Sequence, residues 1–450
     1  MTAKAPPAMP ARRGRRTWTH RGRPHPLQRA NRLLRVLGPG LITGAADDDP
    51  SGIGTYSQSG AVFGAGQLWL ALYVLPLVIA VQEMCGRIGL VTGQGIAGVV
   101  RTHYSRRVLV AAVLLLFVAN TINVGADLGA MAESVRLLAP GVPYFPLLLV
   151  FALGILAVEI LVPYRVYARV LKLLTLSLLA YVVTGIVIHP DWGRLLVATL
   201  VPHLQFTPGY LALVVGLLGT TISPYLFFWQ ASEEVEETTS RGRQPRGADP
   251  RRQAQALTKQ IRALRVDTVF GLVAASVTFW FIVMTAGSTL HVHGITNIAS
   301  ADEAAQALRP LAGSFAQALF ALGIIGTGLL AVPVLAGSAA YGIAEAAGWQ
   351  QGLGETFGHA RGFYCVIALA TLIGLALNFL GVNPITALVY TAVINGIVAV
   401  PLLALILRVA NDRGIMGAHT NSRASNALGG LTLAVMGVAA VVTVASLVWQ

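Results

Sequence analysis

Long apolar runs separated by short polar stretches dominate the chain. A segment of about 20 apolar residues crosses the hydrocarbon of a bilayer as a helix. Eleven such runs are legible, at residues 38–62, 67–90, 107–134, 143–162, 166–188, 208–231, 266–289, 313–343, 362–381, 384–407 and 427–448. The pattern predicts an all-α, polytopic membrane protein of about eleven transmembrane helices. Connections are short, apart from the N-terminal tail and the stretch around 233–265.

Two runs are interrupted by polar residues and proline. The first contains Asp47-Asp48-Asp49-Pro50-Ser51-Gly52-Ile53-Gly54 and the sixth Gly219-Thr220-Thr221-Ile222-Ser223-Pro224-Tyr225. Their prolines lie 174 residues apart, a separation of five spans. An odd number of spans turns the second copy upside down, so the pattern predicts an inverted repeat with paired broken helices, the architecture of LeuT-like secondary transporters. The expected organisation is a disordered basic tail over 1–36, a first repeat over 37–190, a second over 205–409, and an extra helix at 427–448.

Composition supports this class. Of 450 residues, 55% are hydrophobic and 11% charged, against roughly 25% charged in a soluble domain. The net charge of +13 is a matter of topology. With the N-terminus inside, 29 of the 32 Lys and Arg fall on inner flanks, and only Arg136, Arg194 and Arg309 lie outside. Positive charge gathers on the cytoplasmic side. The expectation is an inner (plasma) membrane protein with a cytoplasmic N-terminus and an outside C-terminus, embedded in lipid and binding no nucleic acid. Cys85 and Cys365 both sit in apolar runs, so no disulfide framework or thiolate site is available. The run Glu233-Glu234-Val235-Glu236-Glu237 reads as a solvated helix end, with a regulatory cation site as the alternative.

The chemistry concentrates at the breaks. Pro50 clashes with the carbonyl of Ala46 and Pro224 with that of Thr220, which frees both carbonyls from their helices. Free carbonyls at membrane depth persist only where they line a cavity or meet a ligand. Acids within spans are functional by default. Successive helical residues point about 100° apart, so Asp47, Asp48 and Asp49 do not share a direction. Asp49, held extended by the following proline, is the expected ligand. Asp47 and Asp48 would lie near the inner path. Thr220, Thr221 and Ser223 add hard oxygens, which suit Mg²⁺, Ca²⁺ or Mn²⁺. Asn123 and Asp127 share a face of span three, and Asn395 lies in span ten. Each either lines the path or packs helices. Glu83 and Arg87 read as a salt bridge, and Glu159 as an ion-paired acid within the bundle.

These residues also carry a resemblance. Gly38-Pro39-Gly40, Asp49-Pro50-Ser51-Gly52, Thr55, Gln58 and Gly60-Ala61 resemble span one of the Nramp divalent-metal transporters. Gln82-Glu83, Arg87-Ile88-Gly89 and Thr92-Gly93-Gln94 are similar to the end of their span two, and Asn383-Pro384 with Ala387-Leu388-Val389 to span ten. The resemblance covers about residues 37–448. It implies a metal bound through Asp49, an upstream carbonyl in span six, and an Asn and a Met at two further positions. This chain has Gly52 in place of that Asn and Ser223-Pro224-Tyr225 in place of Met-Pro-His. Losing the thioether removes preference for soft ions, and the enlarged site leaves room for retained water, which Mg²⁺ demands. Tyr225 replaces a titratable His, and the resemblance puts Asn123 and Ala126 at an acidic pair of span three, with Asp127 displaced by one. These departures resemble the Nramp-related magnesium transporters, which implies movement of Mg²⁺ or Mn²⁺ without proton coupling.

The expected function is therefore alternating-access transport of a hard divalent cation, with no reaction catalysed, no cofactor and no obligate protein partner. The cation would lie between Asp49, the carbonyls of Ala46 and Thr220, and the Ser223 hydroxyl. One alternative is a transporter, cation-coupled or uncoupled, of an amino acid or other small organic solute on the same fold. Another is a receptor that inherited the fold and no longer transports.

Overall fold

A computed structural model describes residues 43–44, 46–162, 178–240 and 250–448. The expected tail at 1–36, the start of the first run and residues 166–177 of the fifth lie outside these described residues. Every regular element among the described residues is helical. Nine of the helices there are long and apolar enough to cross a membrane. The expected runs at 38–62 and 166–188 are only partly described.

The principal helices are α1 (Pro50–Phe63), α2 (Trp69–Thr92), α3 (Ile96–His103), α4 (Arg106–Leu138), α5 (Tyr144–Leu161), α6 (Leu179–Val187) and α7 (Trp192–Leu200). They continue as α8 (Pro208–Thr221), α9 (Pro224–Ser240), α10 (Pro250–Thr289), α11 (Ala316–Ala347), α12 (Arg361–Leu377), α13 (Pro384–Asn411) and α14 (Arg423–Val448). Three of them start on the same device. Asp49, Thr207 and Asn383 each cap a helix with a side-chain oxygen, and each is followed by proline at the first helical position. There the missing N–H is an orphan in any case.

α1 packs on α10 and α13, α4 lies along α11 and α13, and α8 lies along α13. Small residues permit the last approach. A Cβ on Gly219 would strike the Ala392 carbonyl, and one on Gly396 the Val215 carbonyl. Close backbone contact over small residues is how membrane helices associate where apolar burial gives no preference. α5 and α14 stand at the periphery, largely open to the surroundings.

Charged residues near the helix ends tie elements together. Glu83 meets Arg87 at 3.4 Å and Arg265 at 3.1 Å, and Arg87 also donates to the carbonyls of His419 and Thr420. The expected salt bridge is thus one corner of a network joining α2, α10 and the approach to α14. The acidic run differs from its expected solvated state. Glu236 accepts from the Tyr341 hydroxyl at 2.6 Å and from the Gly354 and Leu353 amides at 2.7 and 3.1 Å, and Glu234 is buried. α9 therefore outruns its apolar segment, with Glu236 finding partners on α11 and the α11–α12 connection and Glu234 accepting from Gln230 of α9 itself. Glu159 was expected in an ion pair. It is buried, and neither carboxylate oxygen has a partner among the described residues.

Candidate functional site

At the first break, helical backbone at 46–47 gives way at Asp48 and resumes at Pro50. Asp49 is extended, at φ −67° and ψ 170°. Its Oδ1 accepts from the Gly52 amide and the Ser51 hydroxyl, each at 2.7 Å. Its Oδ2 accepts from Asn123 Nδ2 of α4 at 2.9 Å. Asn123 in turn accepts from Asn395 Nδ2 of α13 at 3.4 Å. One carboxylate thus closes the N-terminus of α1 and anchors a polar chain across three helices. Each carboxylate oxygen offers about two acceptor directions, so Oδ2 keeps capacity for a further partner.

The second break is closed differently. The Ser223 hydroxyl turns back onto the end of α8, 2.6 Å from the Thr220 carbonyl and 2.8 Å from that of Gly219. The breaks meet through one contact, in which the Tyr225 hydroxyl donates to the Ala46 carbonyl at 2.8 Å. Both freed carbonyls are therefore found where the prolines place them, and both are held by hydroxyls of the chain itself. This corrects the expectation of bare carbonyls. A hydroxyl replaces the lost N–H because an unpartnered buried carbonyl is costly. It also corrects the placement of Ser223, whose Oγ faces its own helix end.

The remaining expected residues divide into two groups. Asp127 lies fully buried on α4, and among the described residues neither of its oxygens has a hydrogen-bond partner. One oxygen each of Asp47 and Asp48, Thr220 Oγ1 and Asn395 Oδ1 are likewise buried and without a hydrogen-bond partner among the described residues. Thr221 belongs elsewhere, since its hydroxyl donates to the Leu217 carbonyl at 2.8 Å and faces Tyr56. Gly52 sits against the second break: a Cβ there would lie 3.1 Å from Thr220 Oγ1, 3.3 Å from the Asp47 carbonyl oxygen and 3.4 Å from Asp49 Oδ1. Among the described residues no three His, Cys, Asp or Glu side chains converge as a metal cluster, because the consecutive aspartates fan apart. The oxygen set is one carboxylate among amides, hydroxyls and carbonyls.

Two contributors escaped the sequence reading. Ser51 holds Asp49 through its hydroxyl, and the signal was its place two residues after the cap in a proline-initiated turn. Thr43 donates to Gln230 at 2.6 Å, pinning the approach to the first break against α9. Nothing in either residue's spacing marks that pair. A cavity of about 580 Å³ lies apart from the break, between residues 93–101 and 345–359, with Arg101, Glu345 and Glu355 on its walls.

Comparison with known proteins adds to this picture. The family model for natural resistance-associated macrophage protein-like (Nramp) proteins matches residues 40–446. The divalent metal cation transporter MntH of Deinococcus radiodurans is 27% identical over 413 residues, covering 88% of this chain and 86% of that one. The MntH of Verminephrobacter eiseniae is 25% identical over 399 residues, with 87% and 84% covered. The Eremococcus coleocola manganese transporter, solved with an aromatic bis-isothiourea substituted compound, superposes with a TM-score of 0.75 at 17% identity, over 94% of this chain and 88% of that one. Mhp1, a nucleobase-cation-symport-1 family transporter, closed on bromovinylhydantoin, superposes with a TM-score of 0.56 at 14% identity, over 92% of each chain.

Proposed function

The chain belongs to the Nramp family of membrane transporters, and from that membership we propose that it moves a hard divalent cation, Mg²⁺ or Mn²⁺, across the inner membrane by alternating access. The observation that carries this reading is the hydrogen bond between Tyr225 and the Ala46 carbonyl. It brings two opposed helix breaks together within spans, beside the buried carboxylate of Asp49. The MntH relatives bear the name of divalent metal cation transporters, and the Eremococcus coleocola protein that of a manganese transporter.

The cation is the cargo. It would bind Asp49 Oδ2 and take the Ala46 and Thr220 carbonyls as their hydroxyl partners swing aside. The groups named here are all oxygens, and an all-oxygen set favours hard ions that keep part of their water. The two halves, 37–190 and 205–409, would rock around it with the N-terminus inside. Movement of an anionic solute is disfavoured by four buried aspartates, Asp47, Asp48, Asp49 and Asp127, because like charges repel.

Transport is read as uncoupled from protons, since Tyr225 stands where a titratable ring would serve and the hydrogen bonds that close the breaks among the described residues involve no His. Asp127 is the acid that would carry a proton if coupling existed. Purified protein in liposomes loaded with a Mg²⁺- or Mn²⁺-sensitive dye, with lumenal pH recorded in parallel, tests both parts. Saturable entry without acidification is expected. No flux of any divalent ion overturns the transport reading. Acidification that tracks entry and disappears in Asp127→Asn overturns the uncoupled one.

A further inference from the structure

The two oxygens of Thr220 stand in different situations. Its carbonyl accepts from Ser223 at 2.6 Å. Its side-chain hydroxyl Oγ1 is buried, lacks a hydrogen-bond partner among the described residues, and faces Gly52 across the gap between the breaks. Thr220 itself is 1% exposed. A buried hydroxyl left unpaired costs about 1–3 kcal/mol, and a threonine inside a helix ordinarily escapes this by bonding the carbonyl four residues back. Its neighbour Thr221 does that, whereas Thr220 does not.

The surroundings of Oγ1 are oxygens. The Asp47 carbonyl, Asp49 Oδ1 and Thr220 Oγ1 all lie within 3.4 Å of the single point that a Cβ on residue 52 would occupy. Glycine is what lets them face one another. Any side chain at position 52 would begin 3.1 Å from Oγ1, so close that the hydroxyl would have to give way by a few tenths of an ångström. Gly52 and Thr220 are thus complementary, one withholding a side chain and the other presenting an oxygen into the room left.

We propose that the Thr220 side-chain hydroxyl is a ligand of the transported cation, directly or through one retained water, and that Gly52 is the size condition that makes it available. This rests on the divalent-cation reading above and deepens it. The hydroxyl supplies a hard neutral oxygen beside Asp49 and so sets the preference for Mg²⁺ over softer ions.

The test is Mg²⁺ and Mn²⁺ uptake in proteoliposomes, paired with calorimetric Mg²⁺ binding in detergent, for the wild type and for Thr220→Val, Thr220→Ser, Thr220→Ala, Gly52→Ala and the Gly52→Ala/Thr220→Ala double variant. Valine has threonine's shape without its hydroxyl. Thr220→Val is expected to raise the KM for Mg²⁺ about tenfold, the size of a lost oxygen contact to a charged group, and to lower the Mg²⁺/Mn²⁺ ratio. Thr220→Ser keeps the oxygen and is expected to restore the ratio. Gly52→Ala displaces the hydroxyl, so its effect should vanish in the Thr220→Ala background, and the pair should be non-additive. An unchanged KM and ratio in Thr220→Val overturns the assignment, as does additivity of Gly52→Ala with Thr220→Ala. A wild type that binds and moves no divalent ion overturns the transport reading itself, an outcome distinct from either, and the ligand assignment falls with it.

Discussion

The two helix breaks share a proline and an interruption within a span, and they dispose of exposed backbone in different ways. At the first, a carboxylate does the closing: Asp49 caps α1 through the Gly52 amide and reaches α4 through Asn123. At the second, a neutral hydroxyl does it, with Ser223 folded onto the Gly219 and Thr220 carbonyls. One break gathers negative charge and donor groups that answer it. The other offers carbonyl oxygens and spends none of its charge. A cation placed between them would find its countercharge on one side and its neutral oxygens on the other. The inverted repeat therefore duplicates geometry without duplicating chemistry.

Removing the charge from the first break is the largest test of that division. Asp49→Asn keeps an oxygen to cap the helix and loses the countercharge. Uptake is expected to fall by about a hundredfold or more, in line with the energy of a charged hydrogen-bonded group at a buried site. The unfolding midpoint in detergent should stay within about 3 °C of wild type, the shift that about 1 kcal/mol produces in a chain of this size or smaller. Asp49→Ala removes the cap as well and should cost about 1 kcal/mol more stability. Normal uptake in Asp49→Asn would leave Asp49 as a helix cap and nothing else.

The second break is tested by changing its chemistry. Ser223→Met introduces a thioether and takes the hydroxyl from the Gly219 and Thr220 carbonyls. The preference for Mn²⁺ or Cd²⁺ over Mg²⁺ should rise about tenfold, because sulfur is a soft ligand. Ser223→Ala is the control for the lost hydroxyl, expected to cost about 1–3 kcal/mol for the carbonyls left unpaired. A selectivity profile unaltered by Ser223→Met places residue 223 away from the ion.

The spans were legible because the bilayer imposes length and hydropathy on them. The run at 143–162 is the helix Tyr144–Leu161 almost to the residue. Where helices outran their apolar runs, polar partners explain it. α10 begins at Pro250, well before its run at 266, through a basic amphipathic approach, and α9 continues on the strength of Glu234 and Glu236. The prolines marked both breaks, and Asp49 was legible as an acid where acids are expensive. Partner choice was not legible. Nothing in the order of residues says that Ser223 folds back while Thr220 faces Gly52, or that Tyr225 reaches Ala46 across 179 positions. Those pairings depend on how two distant spans approach, and the approach is set by close contacts such as Gly219 and Gly396 with α13 and α8 backbone.

Tyr225 joins the two breaks, and its removal has the smallest expected effect and the most informative sign. Its hydroxyl donates to the Ala46 carbonyl, so a cation that takes this carbonyl as a ligand would have to displace it. Tyr225→Phe keeps the ring, which is fully buried, and removes the competitor. A single hydrogen bond contributes about 1 kcal/mol net. The KM for Mg²⁺ should therefore fall about threefold to fivefold if the carbonyl is a ligand. Stability without the ion should drop by a similar energy, and added Mg²⁺ should recover it, since a ligand that binds only the folded state stabilises that state. A carbonyl that never meets the ion predicts the same loss of stability with an unchanged KM and no greater recovery than wild type shows. Uptake kinetics and thermal unfolding with and without Mg²⁺, on the same preparation, decide whether the contact between the breaks is a latch the cation opens or a fastening it never touches.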